Sequence, residues 1–307
     1  MRGYITFLFT GLLASLAIVA APAARADDVA RIAVISAFDP EWQALKAQVH
    51  DAKTETVAGN AFVTGTLSGK PVVLMLSGVS MVNAAMNTQR LLDHYHVRAI
   101  VFSGIAGGVD PSLHVGDVVV PEQWAQSLES VMARKTGDNS YSPPPWLWGV
   151  TDLPGYGMII PRGVQIGNAA TPAAMHETFA ADPQLIALAR RIAPAIHLKV
   201  CSTARLCLDH APQVVVGGEG VSAPAFVDNA EYRAYLATTF HARATDMESA
   251  AVVQVAYANQ VPVIVFRSLS DLAGGDAGAN QMATFTALAS ENSAAVVTAF
   301  VAAMPDK

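Results

Sequence analysis

Three carboxylates stand where a run reading as a buried strand gives way to a turn or helix. Glu41 follows Arg31–Ala37 in Ala37-Phe38-Asp39-Pro40-Glu41, Glu248 follows Ala242–Asp246 in Thr245-Asp246-Met247-Glu248-Ser249, and Asp271 ends Arg267-Ser268-Leu269-Ser270-Asp271. In open α/β sheets, ligands bind outside the carboxyl ends of the strands. Carboxylates at three such ends could therefore act on one molecule as acid, base and hydroxyl-gripping group. Singly, each has an ordinary explanation: Glu41 sits in a helix first turn, where the dipole favours its ionised form, and Asp246, Glu248 and Asp271 can cap the helix or turn that begins after them. Their joint occurrence is harder to dismiss. A fourth segment, Ser103-Gly104-Ile105-Ala106-Gly107-Gly108, is a small-residue loop after an apolar strand that lets a ligand approach the backbone. It has neither the lysine and spacing of a phosphate-binding P-loop nor the dinucleotide fingerprint.

The elements that must position these residues read as strands alternating with helices. Strands are predicted at Arg31–Ala37, Ala61–Leu67, Pro71–Ser77, Ala99–Ser103, Val115–Val120, His197–Ser202, Gln213–Val216, Ala242–Asp246 and Val261–Leu269. Helices are predicted at Asp39–Val49, Val82–Tyr95, Pro183–Ile192, Asn229–Thr238, Met247–Asn259 and Ala279–Met304. This alternation predicts one α/β domain of three layers, a mostly parallel central sheet with helices on both faces. Between about Val131 and Ile166 the pattern gives way to a Pro/Gly/aromatic stretch containing Pro143-Pro144-Pro145-Trp146-Leu147-Trp148, a loop long enough to be functional or an interface.

Residues 1–26 carry one early cation, Arg2, an apolar stretch from Ile5 to Ala21, and Ala24-Arg25-Ala26 before Asp27. This is the pattern of a cleaved secretory signal, which predicts an exported domain over residues 27–307, periplasmic or secreted. The alternative, an uncleaved membrane anchor, suits neither the short apolar region nor the well-placed cleavage site. No later segment has 18 uninterrupted apolar residues, so no stable membrane insertion is expected after cleavage. Loss of Arg2 and Arg25 takes the formal net charge from −6 to −8, with no basic run, which disfavours nucleic acid as a partner. A hydrophobic content of 52% over this length is ample for a large core. Cys201 and Cys207 lie six residues apart. In an oxidising compartment they can close a small disulfide loop, the alternative being two buried free thiols; a metal site would want more His or Cys partners.

The motifs, taken in chain order, resemble a known family. They are Ile35-Ser36-Ala37-Phe38 through Glu41, Ser77-Gly78-Val79 with Val82-Asn83-Ala84-Ala85, Ser103 to Gly108, Val115-Gly116-Asp117-Val118-Val119-Val120, Ala225-Phe226-Val227, Asp246-Met247-Glu248-Ser249-Ala250-Ala251, and Arg267 to Asp271. From about Arg31 to Ala302 the chain resembles the purine nucleoside phosphorylase and nucleosidase superfamily, and most the 5′-methylthioadenosine/S-adenosylhomocysteine nucleosidases. The resemblance implies hydrolysis of the N-glycosidic bond of a purine nucleoside, such as 5′-methylthioadenosine, S-adenosylhomocysteine or an adenosine-like compound. It implies Asp271 as the acid at purine N7, Glu41 as the group that orients and deprotonates water with Arg267 as its partner, and Glu248 as the grip on the ribose hydroxyls. By the same resemblance Met247, Phe38 and Val79 line the sugar side, while Phe226, the backbone of Val227, Ala106, Gly107 and Ser270 complete the substrate pocket. By residue type alone Phe226 reads as core.

No metal or organic cofactor is implied, since carboxylates supply every step, and the family implies a homodimer. The alternatives are a phosphorylase of the same fold and a non-catalytic nucleoside-binding or storage member. Ile105 departs from the small hydroxyl residue usual at its position, and Pro224 from a neighbourhood where an acid is common. The segments Val131–Ile166 and Cys201–Pro212 read as insertions.

Overall fold

The computed structural model describes residues 28–203 and 205–306, so the export signal expected in residues 1–26 lies outside the described residues. The sheet is built outward from one long strand, Val97–Gly108. Arg31–Ser36 and Val263–Asp271 flank it in parallel, and Lys70–Leu76 adds a further parallel neighbour beyond Arg31–Ser36. In each strand consecutive residues face opposite sides. Ile32, Val34, Val101, Ile264 and Phe266 therefore meet Trp42, Leu45, Val297 and Phe300 from helices Asp39–Lys46 and Met282–Ala303. Ala33, Ile35, Phe102 and Val265 meet Ala84, Leu91, Val252 and Val253 from helices Met81–His94 and Ser249–Asn259. Helices on both sides explain why these strands are almost continuously apolar in sequence. The predicted three-layer α/β fold is thus observed.

The twelve-stranded sheet is parallel at its centre and antiparallel towards its margins. His50–Val57 and Asn60–Leu67 form the antiparallel margin beside Lys70–Leu76. The turn between Asn60–Leu67 and Lys70–Leu76 uses Ser68 and Gly69, both at positive φ. On the other side, Val118–Val120 pairs with Val263–Asp271 and with Val214–Val216. The long strand changes partner partway: it pairs Arg31–Ser36 as far as Phe102, then Ala242–Asp246 from Gly107 onward. Between those limits one side of it is left without a strand neighbour, and that gap is where the candidate site lies.

Several expectations are corrected. The strand expected at His197–Ser202 is irregular chain after the short 3₁₀ turn Ala193–Ala195. At Lys199 the fully buried Asn292 takes a strand's place, its amide accepting from Lys199 N–H and donating to Lys199 C=O at 2.8 and 3.0 Å, while Val200 and Ser202 pair with Leu208 and Leu206. The expected strand Val115–Val120 shortens to Val118–Val120, since Gly116 turns at φ 94° and donates to Leu269 C=O. The helix expected from Met247 begins at Ser249. The helix expected from Ala279 begins at Met282, whose N–H is taken by Asn280 Oδ1. The stretch 131–166 is not a structureless loop. Ser130–Met132 pairs with Ile159–Pro161, Arg134–Gly137 with Ser140–Ser142, and Val164–Ile166 with Ala174–His176. Cys201 and Cys207 are joined by a disulfide, which resolves the two readings of that pair.

The C-terminal helix joins one face of the core through Phe300, fully buried with its ring 5.0 Å from that of Phe266. Phe300→Ala is expected to lower unfolding free energy by about 3–5 kcal/mol, the usual loss for a buried aromatic truncated to alanine, read from the urea midpoint at unchanged m-value.

Candidate active site

Glu41 occupies the gap beside the long strand. Its helix begins just after Arg31–Ser36, which carries the carboxyl to the unpaired N–H of Ile105. Oε1 accepts that N–H at 2.8 Å, and Oε2 accepts Ala37 N–H at 2.7 Å and Phe38 N–H at 3.3 Å. A side-chain carboxylate thus does here what a neighbouring strand does elsewhere. Glu41 is buried, and burial raises its pKa against the lowering effect of Arg267 and of the three amides.

Arg267, on the strand running along the other side of Val97–Gly108, crosses beneath the gap and is fully buried. Its Nε lies 2.7 Å from Asp246 Oδ2, Nη2 lies 3.6 Å from Glu248 Oε2, and Nη1 lies 3.9 Å from Glu41 Oε1. It also donates to Ser249 Oγ at 2.9 and 3.0 Å and stacks 4.2 Å from the Phe102 ring centroid. Gly104 makes this possible: a Cβ there would collide with the guanidinium and stand 2.6 Å from Glu41 Oε1.

Asp246 caps the following helix by accepting Glu248 and Ser249 N–H at 3.1 Å each, and also bonds the hydroxyls of Ser222 and Ser249. Glu248 accepts Ser80 N–H at 2.8 Å. Burial, with Asp246 and Glu41 as further anions, pushes its pKa up to about 7 despite Arg267.

Asp271 lies past a bulge, where two steps from Leu269 match one step from Ala106 to Gly107. Its Oδ1 accepts Ala273 N–H at 2.8 Å and its Oδ2 accepts the Ser270 hydroxyl at 2.9 Å. Burial raises its pKa against the lowering effect of the Ala273, Ser270 and Asn280 hydrogen bonds.

These groups border a cavity of about 140 Å³. The predicted residues Phe38, Glu41, Val79, Ala106, Gly107, Phe226, Val227, Met247, Glu248, Ser270 and Asp271 all line it. Arg267 does not; it lies beneath, holding carboxylates. Phe226 is 56% exposed at the rim, which corrects the core reading of its residue type. Sequence reasoning missed Asp246 as the nearest partner of Arg267, and Thr245 and Met282 in the lining. Asp246 was visible as one of two acids flanking Met247, but its capping role concealed the second. The arrangement gathers at one cavity a buried acid, a carboxyl held by backbone amides and a third carboxyl whose pKa is pushed up to about 7.

A profile of the phosphorylase superfamily matches residues 31–302. The chain belongs to this superfamily. Within the superfamily it is similar to the 5′-methylthioadenosine/S-adenosylhomocysteine nucleosidase of Bacillus anthracis, 32% identical over 246 residues, which are 80% of this chain and 87% of the relative. The corresponding nucleosidase of Marinomonas sp. is 32% identical over 266 residues, 87% of this chain and 96% of the relative. The superfamily fold is shared with the nucleosidase of Neisseria meningitidis in complex with methylthio-immucillin-A, at TM-score 0.65 and 25% identity, covering 90% of this chain and all of that one. It is shared too with the futalosine hydrolase of Helicobacter pylori strain 26695, at TM-score 0.67 and 22% identity, covering 90% and 99%, a likeness of fold alone. Among the superfamily's members the chain groups with the nucleosidases, N-glycosyl hydrolases by activity.

A carboxyl whose folded pKa is raised from 4.5 to about 7 contributes stability that is complete below pH 4.5 and lost as pH rises through 7. For Glu248 alone the loss approaches about 3 kcal/mol. Thermal unfolding followed from pH 4.5 to 8 is expected to show wild type losing stability relative to Glu248→Gln across that interval.

Proposed function

We propose that the protein hydrolyses the N-glycosidic bond of a purine nucleoside of the 5′-methylthioadenosine, S-adenosylhomocysteine or adenosine-like class, releasing the free base. The observation that carries this reading is the corner occupied by Glu41. An attacking phosphate would need cationic groups there, whereas a carboxylate repels it. Arg267, the cation that meets Glu41 among the described residues, is fully buried and engaged with three carboxylates. Water, neutral and able to donate to Glu41, suits the corner.

In the reaction, the C–N bond breaks with development of positive charge on the sugar, and water supplies the new C–O bond. This follows the logic of an inverting glycosidase, with an acid on one face and a base on the other. Asp271, kept protonated by burial, hydrogen-bonds or protonates purine N7, so that the base departs neutral. Glu41 takes the proton from the attacking water. Glu248 holds the ribose hydroxyls and strengthens its grip as charge develops, while Met247 and Phe226 pack on sugar and base. Three convergent carboxyl groups at strained protonation equilibria favour an enzyme over a storage or sensor protein.

Export to the periplasm or exterior belongs to the same proposal. It is supported by the signal-like residues 1–26 and by the Cys201–Cys207 disulfide, which suits an oxidising compartment. There the enzyme meets extracytoplasmic nucleosides, a scavenging role. A homodimer is supported by the exposed apolar side chains of Val79, which lines the pocket, and of Val82 and Met86, one turn apart on the helix that follows, at 46%, 77% and 42%.

Incubation with 5′-methylthioadenosine, S-adenosylhomocysteine, adenosine and inosine, with and without phosphate, tests the reaction class. Base release independent of phosphate, together with free sugar as product, is expected; ribose 1-phosphate would identify a phosphorylase instead. Asp271→Asn is expected to retain nucleoside binding and lower kcat by ~10²-fold or more, the scale of a lost general acid. Unchanged base release by that variant would sink the mechanism.

A further inference from the structure

One polar group in the cavity has no part in the scheme above. Thr245 lines the pocket and is 5% exposed, and its hydroxyl is buried without any hydrogen-bond partner. Every other hydroxyl or carboxyl side chain lining the pocket is tied to protein: Glu41 to amides, Asp246 to Arg267, Glu248 to Ser80, and Ser270 to Asp271. Leaving a buried hydroxyl unpaired is unfavourable, and valine would fill the same β-branched volume without that penalty. A threonine here leaves hydrogen-bonding capacity that a ligand in the pocket can use.

The sheet fixes which way the side chain faces. Gly107 of the long strand has Thr245 opposite it on one side and Asp271 on the other. Residues in register across a sheet share a face. A Cβ on Gly107 would lie 3.1 Å from Asp271 Oδ1, so that face carries the Asp271 carboxyl. Val221, in register with Thr245, packs there with Val227 and Ala273. Asp246, the next residue, turns to the opposite face and meets Arg267. Thr245 and Asp271 thus flank the bare backbone of Gly107 two strand spacings apart, about 10 Å between Cα atoms. A flat purine ring with a hydrogen-bonding side chain at each end fills that width.

We propose that Thr245 anchors the base by hydrogen-bonding the polar edge of the bound purine across from Asp271. The inference rests on the purine nucleoside reading above. Because a hydroxyl both donates and accepts, it can pair with a ring nitrogen or an exocyclic group.

The test compares wild type, Thr245→Val and Thr245→Ser in three measurements: calorimetric affinity for adenine, kcat/KM for adenine release from adenosine, and unfolding temperature without ligand. Thr245→Val is expected to bind adenine about 3- to 10-fold more weakly, the range of one net hydrogen bond. Its kcat/KM is expected to fall by the same factor and its ligand-free unfolding temperature to stay level or rise. Thr245→Ser is expected to stay within about twofold of wild type. Wild-type adenine affinity in Thr245→Val, or a loss of affinity that comes with a lowered unfolding temperature, overturns the proposal while leaving nucleoside hydrolysis intact. A wild-type protein that neither releases nor binds purines overturns both.

Discussion

The guanidinium of Arg267 lies wholly out of water between Asp246, Glu248 and Glu41, and the rest of the site is arranged around it. Burying an arginine is tolerable only when its donors are satisfied and its charge is matched. Asp246 and Ser249 supply close partners, Ile105 C=O accepts from Nη1 at 3.4 Å, and the Phe102 ring faces the cation. The planar fork of arginine reaches several acceptors at fixed angles, which the point charge of lysine could not reproduce. Through these contacts one side chain ties together the strand Val263–Asp271, the strand Ala242–Asp246, and the helices that begin near Glu41 and Ser249.

The charge count then sets the protonation of the site. One cation cannot neutralise three carboxylates in a medium of low polarity, and both Glu41 and Glu248 hold a proton more readily than an ordinary acid. Asp246 has the shortest contact with Arg267 and is also bonded by two amides and two hydroxyls. Glu248, farther from the guanidinium than Asp246 and with Ser80 N–H as its amide donor, is pushed up to about 7 by burial and by the neighbouring anions. A carboxyl poised there can act as hydrogen-bond donor or acceptor towards hydroxyl groups in the cavity.

Legibility in the sequence tracks burial on two faces. Arg31–Ser36 and Val263–Asp271 are sandwiched between helices, so their apolar runs announced them, and the acids at their ends came with them. His50–Val57, a polar edge strand, has no such run, and Glu219–Ser222 is a four-residue strand whose Gly220 lies against Trp124, where a Cβ would come within 2.7 Å of the ring. The strand expected at His197–Ser202 failed because its backbone partners come from a distant side chain, Asn292 at Lys199, and from Leu208 and Leu206 at Val200 and Ser202. In the site, motif order brought out Glu41, Glu248 and Asp271. Arg267 was expected to serve Glu41, yet its nearest acid is Asp246, because local spacing cannot tell which of several acids a buried cation meets first.

The bulge before Asp271 explains how acid and cation coexist on one strand. Arg267, Leu269 and Asp271 are alternate residues, which in a regular strand would all face the same way. Arg267 stands opposite Gly104 and Leu269 opposite Ala106, but Asp271 stands opposite Gly107, one step further along the long strand rather than two. The extra residue therefore turns Asp271 to the other face of the sheet, as bulges beside functional sites do. Had the strand stayed regular, Asp271 would project on the side of Arg267, and the nearby cation would favour its ionised form. Turned away, it meets Ser270, Ala273 and Asn280, neutral donors, and burial keeps its pKa raised. A one-residue irregularity thus lets a single strand end carry both a permanent cation and an acid able to keep its proton.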